Sequence, residues 1–170
     1  MTKNLKGKLF LLIFVFLWLC TVSLSAEIYP AANSKASVCI LNYDTEFKKN
    51  LTAALVQDFN AKEISVTVDS VSNGGQYSAK NFDAVILLSA VQAFGPLPKT
   101  VEYIKKNNYS GNIIYFATYA KFNLPYGMSL DKKKVDAITS ASITNDNKVF
   151  EDDKNKIVEK TMGLIDKKKE

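Results

Sequence analysis

The chain has 170 residues, enough for one domain with a core of useful size, and its hydrophobic (47%) and charged (23%) shares are those of an ordinary globular protein. All 22 cations are lysine and none is arginine; Lys3, Lys6 and Lys8 precede the first acid, so the remainder nearly balances the 17 acids, which excludes a nucleic-acid surface with bidentate forks for guanine or phosphate. There is also no histidine, which excludes Ser-His-Asp and Cys-His catalysis and histidine-based zinc or copper sites.

The three early lysines lead into an unbroken apolar run, LFLLIFVFLWLC, at 9–20, followed by small and polar residues ending in Ser-Leu-Ser-Ala. That is the anatomy of a secretory signal peptide over 1–26, with cleavage after Ala26. The expectation is an extracytoplasmic chain, periplasmic or secreted, with no membrane attachment after cleavage. The alternative is an uncleaved membrane anchor, because residues 9–26 make about 18 positions, the lower limit for crossing a bilayer. Lipidation at Cys20 is disfavoured by the bulky Leu-Trp-Leu before it. Cleavage leaves Cys39 as a lone thiol; its setting, Val38-Cys39-Ile40-Leu41, reads as a small buried hydrophobe.

Residues 27–36, with Pro30, read as an extended leader, and 37–170 as the folded domain. A short apolar strand is expected at 37–42. Residues 45–61 carry Phe47, Leu51, Leu55 and Phe59 on one helical face, with Asp44 as the expected N-cap. Residues 64–71 alternate like a half-exposed strand, and 72–80, with Gly74-Gly75, read as a loop. FDAVILL at 82–88 reads as a central strand buried on both faces. Gly95-Pro96-Leu97-Pro98 breaks the chain and opens a helix with Leu97, Val101 and Ile104 inward, ended by Asn107-Asn108 and Gly111. NIIYFAT at 112–118 is another buried strand, and 119–133 a polar, aromatic connection. A last short strand opens at 135–138. A final helix is expected over 152–167, led by Glu151, Asp152 and Asp153, closed by lysines, and burying Ile157, Thr161, Leu164 and Ile165. No internal repeat is visible.

Buried strands alternating with amphipathic helices imply an α/β fold with a parallel sheet covered on both faces. Ligands of such sheets bind beyond the carboxyl ends of the strands. The loops at 42–46, 89–95 and 118–122 would therefore form any site.

Here the chain resembles the flavodoxin-like family. Asn81 through Ser89 is similar to that family's third strand and flavin loop, Gly95-Pro96-Leu97-Pro98 through Lys106 to its third helix, and Ile114-Tyr115-Phe116-Ala117-Thr118 to its fourth strand. The resemblance implies a doubly wound five-stranded parallel sheet, with some helices reduced where 72–80 and 119–133 carry no helical pattern. It implies FMN as cofactor, electron transfer as activity and a redox partner protein. The residues it points to are Thr45, Ser89, Phe94, Gly95, Thr118, Tyr119 and Phe122, with Phe94, Tyr119, Phe122, Tyr126 and Tyr77 as aromatics to stack on the ring. One departure is plain. The family's Ser/Thr-x-Thr-Gly-x-Thr phosphate loop reads Asn42-Tyr43-Asp44-Thr45-Glu46-Phe47 here, so only Thr45 matches and two acids stand where a dianion would sit. That leaves open a second reading, a non-redox extracytoplasmic binding or interaction module whose pocket Asp44 and Glu46 fill.

The stretch at 135–144, VDAITSASIT, is similar to the attachment pattern of exported domains carrying covalent FMN, through Asp136, Thr139, Ser140, Ala141, Ser142 and Thr144. That resemblance implies Thr144 as the attachment residue of a covalently flavinylated carrier. The other reading, which the wider strand-helix order favours, is a fifth strand pairing with 113–117.

Overall fold

The computed structural model describes residues 26–92, 95–108, 110–118, 136–140 and 147–168. In chain order come β1 (Glu27–Tyr29), β2 (Ala36–Asn42), α1 (Glu46–Ala61), β3 (Ile64–Ser70), β4 (Ala84–Gln92), β5 (Gly95–Pro96), α2 (Pro98–Lys106), β6 (Ile113–Thr118), β7 (Asp136–Ser140) and α3 (Asn147–Lys167). The sheet order is β1-β3-β2-β4-β6-β7. The five strands from β3 to β7 along that path are parallel to their neighbours. Numbered without β1 and β5, this is the 2-1-3-4-5 order of the flavodoxin-like fold.

Period-two alternation splits the core cleanly. Val38, Ile40, Val66, Val68, Ile86, Leu88, Ile114 and Phe116 face one way, under Leu51, Leu55 and Phe59 of α1 and Ile157 and Ile165 of α3. Cys39, Leu41, Val85, Leu87, Ile113, Tyr115 and Ala117 face the other way, under Tyr103 and Ile104 of α2 and under Val71 and Ala79. Cys39 is fully buried, as its apolar setting suggests, and burial pushes its thiol up to about 12.

On that second face the crossover from β3 to β4 is reduced to two 3-10 turns, Val71–Gln76 and Ala79–Asn81, in place of an α-helix. Gly74 explains how closely the first turn packs. A Cβ there would stand 3.0 Å from Tyr103 Cδ2 and 3.3 Å from Leu41 Cδ1.

Several expectations need correcting. The leader is not merely extended. Glu27–Tyr29 forms an antiparallel edge strand on β3, with Glu27 opposite Val68 and Tyr29 opposite Val66. Gly95 and Pro96 do not simply break the chain, but fold back on β4 opposite Gln92 and Val91 before α2 starts at Pro98. The cap of α1 is Thr45, not Asp44: its side chain accepts from the Lys48 amide, while Asp44 pairs with Lys49 at 2.8 Å. Helix α3 begins at Asn147, so Glu151, Asp152 and Asp153 lie beyond its first turn, which holds no acid. The early start is held by packing, since the Phe150 ring meets Phe47 of α1 edge-on at 5.8 Å. The strand reading of the hydroxyl-rich stretch agrees with the structure: β7 runs parallel to β6, from Asp136 opposite Ile114 to Ser140 opposite Thr118. Among the described residues no helix is long and apolar enough to cross a membrane.

Candidate functional site

Chain direction across the sheet reverses between β2 and β4, so the switch point lies at their carboxyl ends. The Tyr43 amide donates to the Leu88 carbonyl at 2.8 Å and ties the two strand ends together. Within this end of the sheet α1 begins. Thr45 adopts extended backbone angles, which lets its hydroxyl cap the helix, and the first turn brings Lys48 over the sheet.

Lys48 is the residue that sequence reasoning missed. Only 2% of it is exposed. Its Nζ donates to Thr118 Oγ1 at 2.8 Å and to Thr45 Oγ1 at 3.4 Å, and stands 5.8 Å from the centroid of the Tyr43 ring. No carboxylate pairs with it among the described residues. Burial therefore acts alone and lowers the ammonium from its ordinary 10.5 to about 8. A signal was present in the sequence. Position 48 lies three before Leu51 and seven before Leu55, on the inward stripe of the helix, where a lysine is out of place. It is also where the last Thr falls when the family's phosphate pattern is laid on Thr45.

The two acids of the loop do not fill the site. Asp44 and Glu46 are both exposed, and Asp44 is turned to Lys49. The expected hydroxyls are placed differently from one another. Thr118 is nearly buried and holds Lys48, while also donating to the Ser89 carbonyl at 3.4 Å. Ser89 points to the opposite face, where its hydroxyl lies 2.9 Å from Thr100 of α2. Thr45 and Thr118 are thus brought together around Lys48, and the Ser89 side chain is not. Gly95 sits in β5 beside β4. Phe94, Tyr119, Phe122, Tyr126 and Thr144 lie outside the described residues.

Beside this point, a cleft of about 420 Å³ opens toward the β1 edge, lined among others by Glu27, Asn42, Asp44, Lys49, Asp69 and Ser70. Its acids are already engaged. Tyr29 donates to Glu27, and Asp69 accepts from the Ser70 amide at 2.6 Å, Asn73 at 2.9 Å and the Tyr77 hydroxyl at 2.6 Å.

A flavodoxin-like α/β domain with a buried lysine at its switch point is what the fold and the site define. No family model matches the chain, and no curated protein matches it. Solved structures do share its fold. A flavodoxin from the domain Archaea is 16% identical, with a TM-score of 0.51, covering 79% of this chain and 99% of that one. A flavo-diiron protein of Thermotoga maritima is 13% identical, with a TM-score of 0.52 over 83% of this chain. The flavodiiron core of a Synechocystis protein is 10% identical, with a TM-score of 0.52 over 82%. This chain covers only 37% and 38% of those two longer chains.

FMN is the cofactor that the sequence resemblance implies, and its phosphate end would fall at the start of α1. The family loop offers hydroxyls and a glycine; this chain offers an ammonium and the unpaired amides that begin any helix. The ammonium fits a phosphate in charge, and both acids of the loop, Asp44 and Glu46, are exposed. Thr45 and Thr118 would support the phosphate through Lys48, since their hydroxyls are already held by it.

Proposed function

We propose that the chain is an exported flavodoxin-like protein that binds FMN at the switch point and passes electrons to a partner protein. The observation that carries this reading is the buried Lys48 ammonium at the start of α1, held by the Thr45 and Thr118 hydroxyls and with no carboxylate partner among the described residues. A desolvated cation at a helix N-terminus is unfavourable by itself, and an anionic group makes it favourable. Lys48 and the first amides of α1 would hold the phosphate; Phe94, Tyr119 and Phe122 would lie against the ring. Bound FMN supplies the redox chemistry, and the chain supplies position, charge and exclusion of water. Export rests on the lysine-led apolar run ending in Ser-Leu-Ser-Ala.

A second reading, the non-redox binding or interaction module, is favoured by the Ser89 hydroxyl, which is turned inside onto Thr100. An absorbance spectrum of the protein from its host, followed by reconstitution with FMN, separates the two. Flavin bands in the blue support the first reading; a colourless protein that stays bare after reconstitution supports the second. Intact mass on the same sample reads two further points. A first residue of Glu27 establishes cleavage, and a mass increase of FMN less water, lost in Thr144→Ala, would make the flavin covalent.

A further inference from the structure

We propose that the apolar N-terminal run stays attached as a membrane anchor, and that the carboxyl end of the sheet is the face it holds against the lipid bilayer. The inference concerns orientation and is independent of the flavin reading. It comes from the direction of β1. Strands β2 and β3 run in parallel toward the candidate site and end there, at Asn42 and Ser70, which are register partners. Strand β1 is antiparallel to β3, with Glu27 opposite Val68 and Tyr29 opposite Val66, so it runs away from the site and its first residue stands at the site end. Glu27 also lines the same cleft as Asn42, Asp44 and Ser70. The chain therefore enters the fold where a ligand would bind, and not at the opposite end, which carries Lys62 and Glu63. A segment that crosses the bilayer needs all of residues 9–26, about 18 positions, so no linker remains between it and Glu27. The domain is then joined to the lipid directly through β1. Docking of β1 also bears on retention. The Ala26–Glu27 bond that cleavage would cut adjoins a paired strand, and Ala26 is half-buried, so the folded domain shields that bond from a peptidase. Adhesion does not set the orientation, because Asp44 and Glu46 are exposed at this end and anionic lipid repels them. The anchor sets it, and a protein that engages the site is one seated in the same membrane.

The test uses the full chain in phosphatidylcholine vesicles, with Cys20→Ser and one added cysteine at either end of α1, Glu46→Cys or Lys62→Cys. Both positions are exposed, and Cys39 is buried away from reagents. A fluorophore on the added cysteine reports energy transfer to an acceptor dye on the lipid headgroups. Transfer from position 46 should exceed transfer from position 62 by about threefold or more, since the length of α1 sets the labels roughly 24 Å apart. Inserting about twelve Gly-Ser residues between Ala26 and Glu27 should remove most of that difference, because a flexible tether no longer fixes the domain. Equal transfer from both ends, stronger transfer from position 62, or a difference that survives the insertion overturns the inference. So does protein recovered from the host free of membranes with Glu27 as its first residue. None of these results bears on whether FMN binds, which the absorbance spectrum reads separately.

Discussion

The two faces of the sheet bury polar side chains in opposite ways. Under α2 and the 3-10 turns, polar groups hold the backbone. Asp69 closes the first turn through Ser70, Asn73 and Tyr77. Asn107 accepts from the Ala79 amide at 2.7 Å, and Asn112 donates to the carbonyls of Ala79 and Phe82. Ser89 and Thr100 satisfy each other. Those bonds replace a helix that the chain lacks between β3 and β4. Under α1, by contrast, Lys48 brings a charge to two hydroxyls whose own needs are small. Thr118 already has the Ser89 carbonyl, and Thr45 already has the Lys48 amide. A buried polar group with neutral partners that need it belongs to the architecture; a buried charge with none to neutralise it points to a ligand.

The largest break in that contrast should come from Asp69→Ala. It removes three acceptor contacts and strands the Tyr77 hydroxyl, so we expect a loss of about 3 kcal/mol in urea unfolding. Anion and flavin binding should be unchanged in the folded fraction. A variant of full stability that loses FMN affinity would place function on the wrong face.

Lys48→Met should act in the reverse sense. Replacing a buried ammonium by an apolar side chain of similar length should raise stability at pH 7 by about 1–2 kcal/mol, a gain reduced by the hydroxyls and ring that now support the charge. Stability gained where binding is lost is the expected signature of a functional strain. A destabilised Lys48→Met would mean that the ammonium serves the fold, and would erase the distinction between the faces.

What the sequence made legible, and what it hid, follows the same division. Strand runs such as FDAVILL and NIIYFAT and the inward stripe of α1 are local patterns, and the alternating α/β class follows from them; the doubly wound five-stranded sheet came from the family resemblance. Strand β1 has only three residues beside Pro30, and its partner β3 lies beyond β2 and α1, so nothing near it in sequence marks it. The early start of α3 depends on Phe150 meeting Phe47, again a distant contact. At the site, Thr45 and Thr118 were visible through family resemblance. Lys48 was hidden because a lysine on a helix usually reads as solvated, and its meaning appears only when Thr118, from another element, is placed 2.8 Å away. Ser89 misled for a related reason. Its position beyond the central strand was right, but period-two alternation points its side chain to the α2 face.

The pH dependence of the Lys48→Met difference sharpens the comparison. Lys48 is lowered by burial to about 8 in the fold, against an ordinary 10.5. Above about 10.5 the amine is neutral in both folded and unfolded chains, and its burial carries no ionic penalty. As pH falls from there to about 8, the unfolded chain takes up a proton that the fold resists, so stability declines; below about 8 the penalty is constant. Cys39 opposes this trend, since its raised thiol makes the fold lose stability as pH climbs past the ordinary thiol range. The difference between wild type and Lys48→Met removes that contribution. Its thermal advantage should be steady below about pH 8 and vanish by about 10.5. A difference that does not change over that window would show that Lys48 titrates normally and is not desolvated in solution.

The smallest effects test the loop itself, where the sequence suggested Asp44 as cap and the structure gives Thr45. An N-cap side chain satisfies an amide that no helix carbonyl can reach, so its loss leaves that donor to water alone. Thr45→Ala should therefore cost about 1 kcal/mol, and it also removes one of the two hydroxyls holding Lys48 Nζ. Asp44→Ala removes only an exposed contact with Lys49, of the kind that salt screens and that contributes little. It should leave the unfolding midpoint unchanged in moderate salt. Both variants bear on the anion as well. Because Asp44 is a carboxylate near the start of α1, deleting it should, if anything, strengthen phosphate binding slightly, whereas Thr45→Ala should weaken it by freeing the ammonium. The reverse pattern, a costly Asp44→Ala and a silent Thr45→Ala, would restore the acid as the cap and put it back where the phosphate is meant to sit.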